Sequence, residues 1–306
     1  MNGMAVVLTK AMAFVLIIIT GYGLKRLKVF EAKDFKVLST IVIKITLPAA
    51  IVSNFSNMQM DNNLLIMCLI GFLANVILVL LGYLTHLGRS SEEKAFAMLN
   101  MSGYNIGNFT LPFIQNFLGA TGFAATSLFD AGNALMCTGA SYTAAAAVAG
   151  TGEGVSVRSV LKSLFSSVPF DMYILMTLLA VFGIRLPAVV VSYAATVGNA
   201  NAFMALFMIG IGFELHLEKH QIKEIITILL FRYGTALIAS LAAYWLLPFS
   251  REIRQTLAIV AFGPVSSVAP AFTGRLGGDV ALASTVNSLS IIVSIILLTA
   301  ALIVVL

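Results

Sequence analysis

Two stretches of this sequence set proline, glycine and small polar side chains inside long apolar runs. The first is Asn100-Met101-Ser102-Gly103-Tyr104-Asn105-Ile106-Gly107-Asn108-Phe109-Thr110-Leu111-Pro112. The second is Gly263-Pro264-Val265-Ser266-Ser267-Val268-Ala269-Pro270. Proline removes a backbone donor and blocks the hydrogen bond one turn back. Without water, that loss is costly unless protein groups or a wet cavity satisfy the freed backbone. Such a break also exposes N–H groups at a half-helix N-terminus, and those groups attract anions. Asn105, Asn108, Ser266 and Ser267 supply side-chain hydrogen bonding beside the breaks, which Thr110, Pro112, Pro264 and Pro270 help to form. One such segment reads as an ordinary proline kink. A matched pair in two halves of a chain points to a solute site at mid-membrane.

Four further polar groups interrupt apolar runs. Lys44, in Ile41-Val42-Ile43-Lys44-Ile45-Thr46-Leu47-Pro48, is costly at mid-span and should face a cavity or a carboxylate. It either attracts an anionic ligand or pairs with an acid such as Asp130. Asp130 and Asn133 stand three residues apart, on one helix face. They either orient a ligand, with Asp130 able to carry a proton, or Asp130 is a buried acid held by hydroxyls or a helix end. Arg232 either adds positive field to a cavity or snorkels to the membrane surface, and the second is the expectation here. Asn287 is either a binding group or polar glue between helices. Glu214-x-His216-x-Glu218-x-His220 has metal-like spacing but falls in a charged loop, so it reads as a solvated turn and no metal is assigned. The sequence has no nucleotide-binding P-loop and no evident nucleophile–base pair, so neither a cofactor nor an enzyme is expected.

The elements that position these groups follow from composition. Of 306 residues, 59% are hydrophobic and only 10% are charged, against roughly 25% charged in ordinary soluble domains. A soluble globule cannot hide so much apolar surface. A membrane span takes ~20 apolar residues. The runs read as roughly ten spans, at 4–24, 36–55, 63–86, 95–118, 121–148, 164–183, 188–213, 222–247, 253–275 and 279–305. The net charge of +5 sits in short loops, where it sets orientation and does not suggest nucleic acid. Lys25, Arg26, Lys28, Lys33, Lys36, Arg89, Lys94, Arg158, Lys162, Lys219, Lys223 and Arg275 fall on one side, and Lys10, Arg185, Arg251 and Arg254 on the other. The first side is therefore cytoplasmic, and both termini are extracytoplasmic. Five spans precede the Gly150–Gly154 loop and five follow it, so the halves run in opposite directions as inverted repeats. Leu111–Gly119 laid on Ala269–Gly277 matches proline and Leu-Gly at one offset. The expected domains are a first repeat over 1–149, a cytoplasmic linker over 150–159 and a second repeat over 160–306.

The sequence resembles the auxin efflux carrier family, the plant PIN proteins and their bacterial relatives. Asn105-x-Gly107 with Pro112, and Phe129-Asp130-x-Gly132-Asn133, carry the resemblance in the first half. Pro264, Leu276-Gly277-Gly278-Asp279 and the run from Ala281 through Ser290 and Ser294 carry it in the second. Gly21-x-Gly23-Leu24-Lys25-Arg26 and Leu47-Pro48-Ala49 also fit. Thr110, Val268 and Lys44 depart from the usual pattern. The resemblance implies an all-α integral membrane fold whose broken fourth and ninth helices cross. It implies a scaffold of spans 1, 2, 6 and 7 that dimerises, and a moving domain of spans 3–5 and 8–10. It also implies a carboxylate substrate such as malate, malonate or an auxin-like acid.

The expectation is a secondary carrier in the cell (inner) membrane, moving a small organic anion by alternating access, either with protons as the coupling ion, through Asp130, or with no coupling. Its substrate site would be drawn from the residues above. An uncoupled anion channel or facilitator, and a ligand-binding membrane sensor, stay open as alternatives.

Overall fold

The computed structural model describes residues 3–56, 63–152 and 154–306, and those residues are helical or irregular. The first quarter holds α1 (Gly3–Arg26), α2 (Asp34–Ile41), α3 (Leu47–Phe55) and α4 (Asn63–Thr85), with a π-helical turn, Val42–Thr46, joining α2 to α3. Next come α5 (Ser91–Met101), α6 (Leu111–Phe117), α7 (Gly119–Leu135) and α8 (Ser141–Ala149). Two more π turns, Ile106–Thr110 and Met136–Ala140, lead into α6 and α8. The second half holds α9 (Val157–Leu164), α10 (Val168–Val181), α11 (Ala188–Gly198) and α12 (Asn201–Gly212). It closes with α13 (Ile222–Leu246), α14 (Arg251–Val260), α15 (Ala269–Arg275) and α16 (Val280–Val305).

Among the described residues, six segments are long and apolar enough to cross a bilayer. They are Met4–Arg26, Asp34–Phe55, Asn63–Thr85, Ala188–Gly212, Lys219–Leu246 and Val280–Val305. A seventh candidate is α9 with α10, but these meet at a 74° bend. The expected sixth span therefore starts later than residue 164. Pro169 opens α10 after an extended Ser167, while Arg158, Ser159, Lys162 and Ser163 give α9 a polar face. Helix α9 also begins inside the expected linker. The other expected spans, at 95–118, 121–148 and 253–275, are interrupted helices.

In hydrocarbon, apolar contact alone gives helices little reason to associate, so close packing and buried hydrogen bonds do that work. Gly71 of α4 and Gly132 of α7 show it. A methyl group on Gly132 would lie 1.8 Å from the Cys68 carbonyl oxygen, and one on Gly71 would lie 2.1 Å from that of Phe129. Only glycine permits this approach, and it brings Asn75 of α4 against Asn133 of α7, 3.1 Å from amide nitrogen to oxygen. Helix α5 starts from a capping box: Ser90 Oγ accepts from the Glu93 N–H, and Glu93 accepts from the Ser90 N–H.

Candidate functional site

Helix α5 stops at Met101 and α14 at Val260, and the chain beyond each runs irregularly before the next helix. The two irregular segments pair as a single antiparallel bridge between Tyr104 and Val265. Asn105 N–H donates to the Pro264 carbonyl at 2.9 Å, and Ser266 N–H to the Gly103 carbonyl at 3.3 Å. Gly103 takes the left-handed conformation (φ 74°) that this turn out of α5 requires.

Unwound backbone inside a membrane must find other partners for its polar groups. Here the neighbouring helices supply them. Asn75 Oδ1 accepts from the Gly103 N–H at 2.7 Å. The Asn133 amide spans Tyr104, accepting from its N–H at 2.9 Å and donating to its carbonyl at 2.9 Å. On the other segment, Ser290 Oγ accepts from the Val265 N–H at 3.0 Å, and Asn287 donates to the Val265 carbonyl at 2.8 Å. Ser294 donates to the Phe262 carbonyl at 2.6 Å.

Arg232 of α13 fastens both segments. Its guanidinium donates to the carbonyls of Met101, Gly103 and Gly263 and lies over the Tyr104 ring, 4.7 Å from the centroid. It is 1% exposed, and among the described residues no carboxylate pairs with it. The snorkelling expectation is therefore overturned. Arg232 is held at the crossing because the carbonyl ends of α5 and α14 present partial negative charge there. Neither Asn75 nor this role of Arg232 was foreseen. A lone asparagine in an apolar run was an available signal for Asn75.

A cavity of about 260 Å³ lies against the crossing. Asn105, Asn108, Ser267, Pro270 and Asn287 line it, as expected of site residues, together with Ser284 and Ser288 of α16. The side chains of Asn105, Asn108 and Ser267 make no hydrogen bond among the described residues, and Asn105 is only 6% exposed. The cavity reaches Ala32, Phe35 and Glu214, on the side of the Lys- and Arg-rich loops. Glu214 belongs to an extended segment held on α16. Its N–H donates to Ser288 Oγ at 3.1 Å, and the His216 N–H donates to Thr285 Oγ1 at 3.0 Å. The segment read as a solvated turn is exposed throughout, but its backbone is fastened to α16, and Glu214 lines the cavity. Among the described residues no group of three possible metal ligands is assembled.

Other expected site residues stand elsewhere. Lys44 is exposed on the π turn between α2 and α3 and makes no ion pair among the described residues. It is absent from the cavity lining and makes no ion pair with Asp130. Asp130 accepts instead from Asn133 at 2.8 Å and from the Tyr173 hydroxyl at 3.0 Å. Asp130 and Asn133 lie behind the first irregular segment, outside the cavity lining. Ser266 is turned away from the cavity toward Cys137, whose thiol lies 3.4 Å from Ser266 Oγ. Thr110 and Pro112 are buried at the foot of α6, and Pro264 is buried where its carbonyl meets Asn105. On the side of the crossing away from the basic loops, Phe14 packs edge-on against Phe113, with ring centroids 4.7 Å apart. Nearby, Lys10 donates to the Asn116 carbonyl at 2.8 Å.

These features define the class: a multi-span helical membrane protein whose interrupted helices meet beside a polar cavity. Residues 6–151 match the family described as membrane transport protein. The match is to transporters, not to enzymes, and it coincides with the resemblance over the first half of the chain. No curated protein matches the chain.

Proposed function

We propose that the protein is a secondary carrier for a small organic acid anion, a mono- or dicarboxylate of the malate, malonate or auxin-like kind. The observation that carries this reading is the polarity of the crossing. Arg232 covers the carbonyl ends of both broken helices, while the amides of Asn105 and Asn108 stay unengaged beside the cavity. The start of the helix from Ile106 through Phe117 lies there too, and its first N–H groups lack partners within the helix. Donors of Asn105, Asn108 and the helix start therefore face the cavity while the carbonyl ends of the broken helices are covered, which supports an anion at the crossing, with Glu214 among the other lining residues. Asn287, Ser267 and Pro270 complete the substrate wall.

In this reading the interrupted helices complete a set of ten spans, as two inverted repeats over 1–149 and 160–306 joined by the linker at 150–159. Spans 1, 2, 6 and 7 form a scaffold that pairs with a second copy, and spans 3–5 and 8–10 move. Both termini are extracytoplasmic in the cell membrane, so the cavity faces the cytoplasm and the contacts of Phe14 and Lys10 close the outer side. Asp130 carries the coupling proton, and its bond to Tyr173 of α10 ties the moving domain to the scaffold.

The test is uptake by the purified protein in liposomes, across a panel of carboxylates and uncharged analogues. Saturable counterflow of one carboxylate class is the expected result. Conductance without saturation would make the protein a channel, and binding without flux would make it a sensor. If Asp130→Asn left the pH dependence of uptake unchanged, Asp130 would not be the proton carrier.

A further inference from the structure

A second cavity, of about 380 Å³, lies on the outer surface between α1 and α16. Val15, Ile18 and Tyr22 of α1, Phe213, and Ile292 and Ile296 of α16 line it. The lining is apolar apart from the tyrosine hydroxyl. Ile296 is 63% exposed, and in a membrane-spanning chain that surface faces acyl chains. The groove is therefore a depression in the lipid-facing wall between two helices.

Charge lies at one end of it. The Tyr22 ring has Lys25 Nζ and Arg26 Cζ each 5.7 Å from its centroid. Lys25 is occupied, donating to the Phe213 carbonyl at 2.6 Å. Arg26 is exposed and pairs with no carboxylate among the described residues. Glu214, next in the chain to Phe213, is close enough to act electrostatically on Lys25 and lines the site cavity, which leaves Arg26 as the unpaired cation. Both cations fall on the basic-loop side, where the bilayer leaflet is anionic. A basic end on an apolar cleft between spans matches the two parts of an anionic phospholipid.

We propose that this groove binds one acyl chain of an anionic phospholipid, with the lipid phosphate against Arg26 and the Lys25 ammonium beside it. The inference rests on the membrane location and on the orientation proposed above, and not on the substrate. It has a structural consequence for the site. Ile291 of α16 lines both this groove and the cavity at the crossing. A chain lying in the groove therefore backs the cavity wall where α1 and α16 meet, and its removal would loosen that wall toward the bilayer.

The experiment is lipid retention by the purified full chain, measured by native mass spectrometry during titration with phosphatidylglycerol and with phosphatidylcholine of the same chains. The expected result is a preference of about fivefold or more for phosphatidylglycerol. Arg26→Gln, at an exposed position, should abolish the preference while leaving the melting temperature in phosphatidylcholine unchanged. Ile296→Trp, which fills the groove, should reduce retention of both lipids. An equal affinity of the wild-type chain for the two lipids would overturn the proposal. So would a preference that survives Arg26→Gln, or full phosphatidylglycerol retention by Ile296→Trp. None of these readouts depends on transport, so failure here is distinct from failure of the carrier reading.

Discussion

The two irregular segments at the crossing face the same physical problem and solve it differently. In the first, a single side chain, Asn133, meets both polar groups of Tyr104, and every polar atom of its amide is used within the protein. In the second the task is divided: Ser290 takes the Val265 N–H and Asn287 the Val265 carbonyl, from positions one turn apart on α16. Asn133 is sealed behind the crossing, 2% exposed, whereas Asn287 also lines the cavity. One fastening is closed off from the cavity. The other is placed so that a ligand touching Asn287 touches a group that holds the backbone.

The sharpest way to break this comparison is to remove what the two segments share. Arg232→Leu should cost about 3 kcal/mol or more, because it strips donors from three buried carbonyls. The melting temperature in detergent should fall steeply, and Arg232→Lys should restore little, since an ammonium lacks the planar fork. A variant as stable as wild type would show that the crossing holds without this fastening.

Next come the asparagines. Asn133→Leu leaves an N–H and a carbonyl of Tyr104 unpartnered, for a loss of about 2–3 kcal/mol. Asn287→Leu exposes one carbonyl, for about 1 kcal/mol, but should lower ligand affinity more than its stability loss suggests. Thermal melts and binding titrations on both variants decide it. Equal effects on stability and affinity would erase the proposed division of labour.

A third pair of substitutions separates lining from fastening altogether. Asn105→Ala and Asn108→Ala remove side chains that bond to nothing, so melting should stay within about 0.5 kcal/mol of wild type. Affinity for the anion should fall about tenfold, the worth of one good hydrogen bond. Undiminished affinity in both would move the ligand away from the start of the helix at Ile106.

The smallest effect lies at the end of the first broken helix farthest from the crossing, on the basic-loop side. Helix α5 has a capping box, while Ser250 at the start of α14 makes no side-chain cap. Hydrogen bonds from the Ser90 N–H and then from Arg89 hold the Glu93 carboxyl below its ordinary range. Its folded value is depressed, so its contribution is present above the unfolded value of 4.5 and is lost as pH falls through the folded value. Glu93→Gln should therefore flatten the acid limb of the melting profile slightly, and an unchanged profile would show that the cap adds nothing.

The sequence disclosed the interruptions because proline and glycine act locally, and Pro112, Gly103, Pro264 and Pro270 declare the breaks without help from the rest of the chain. It disclosed less of what each polar side chain meets. Arg232 bonds to carbonyls 129 to 131 residues away in the first segment, and nothing beside it in the chain indicates them. Lys44 was misplaced for a like reason: its immediate neighbours in the chain are apolar on both sides and do not say which face of the helix is covered. Asn105 and Asn108 were legible because they flank the break itself. Glu214 was not, since the groups that fasten its segment come from α16.

The bridge between Tyr104 and Val265 has a further consequence for amide hydrogen exchange. Chain that leaves a helix ordinarily trades its amide hydrogens with solvent quickly. At this crossing Gly103, Tyr104, Asn105, Val265 and Ser266 all donate to protein acceptors and are all buried. Their exchange has to wait for an opening of the whole bundle, while the regular helical turns beside the loops can fray alone. In this protein the least helical backbone in the membrane belongs with the slowest-exchanging core.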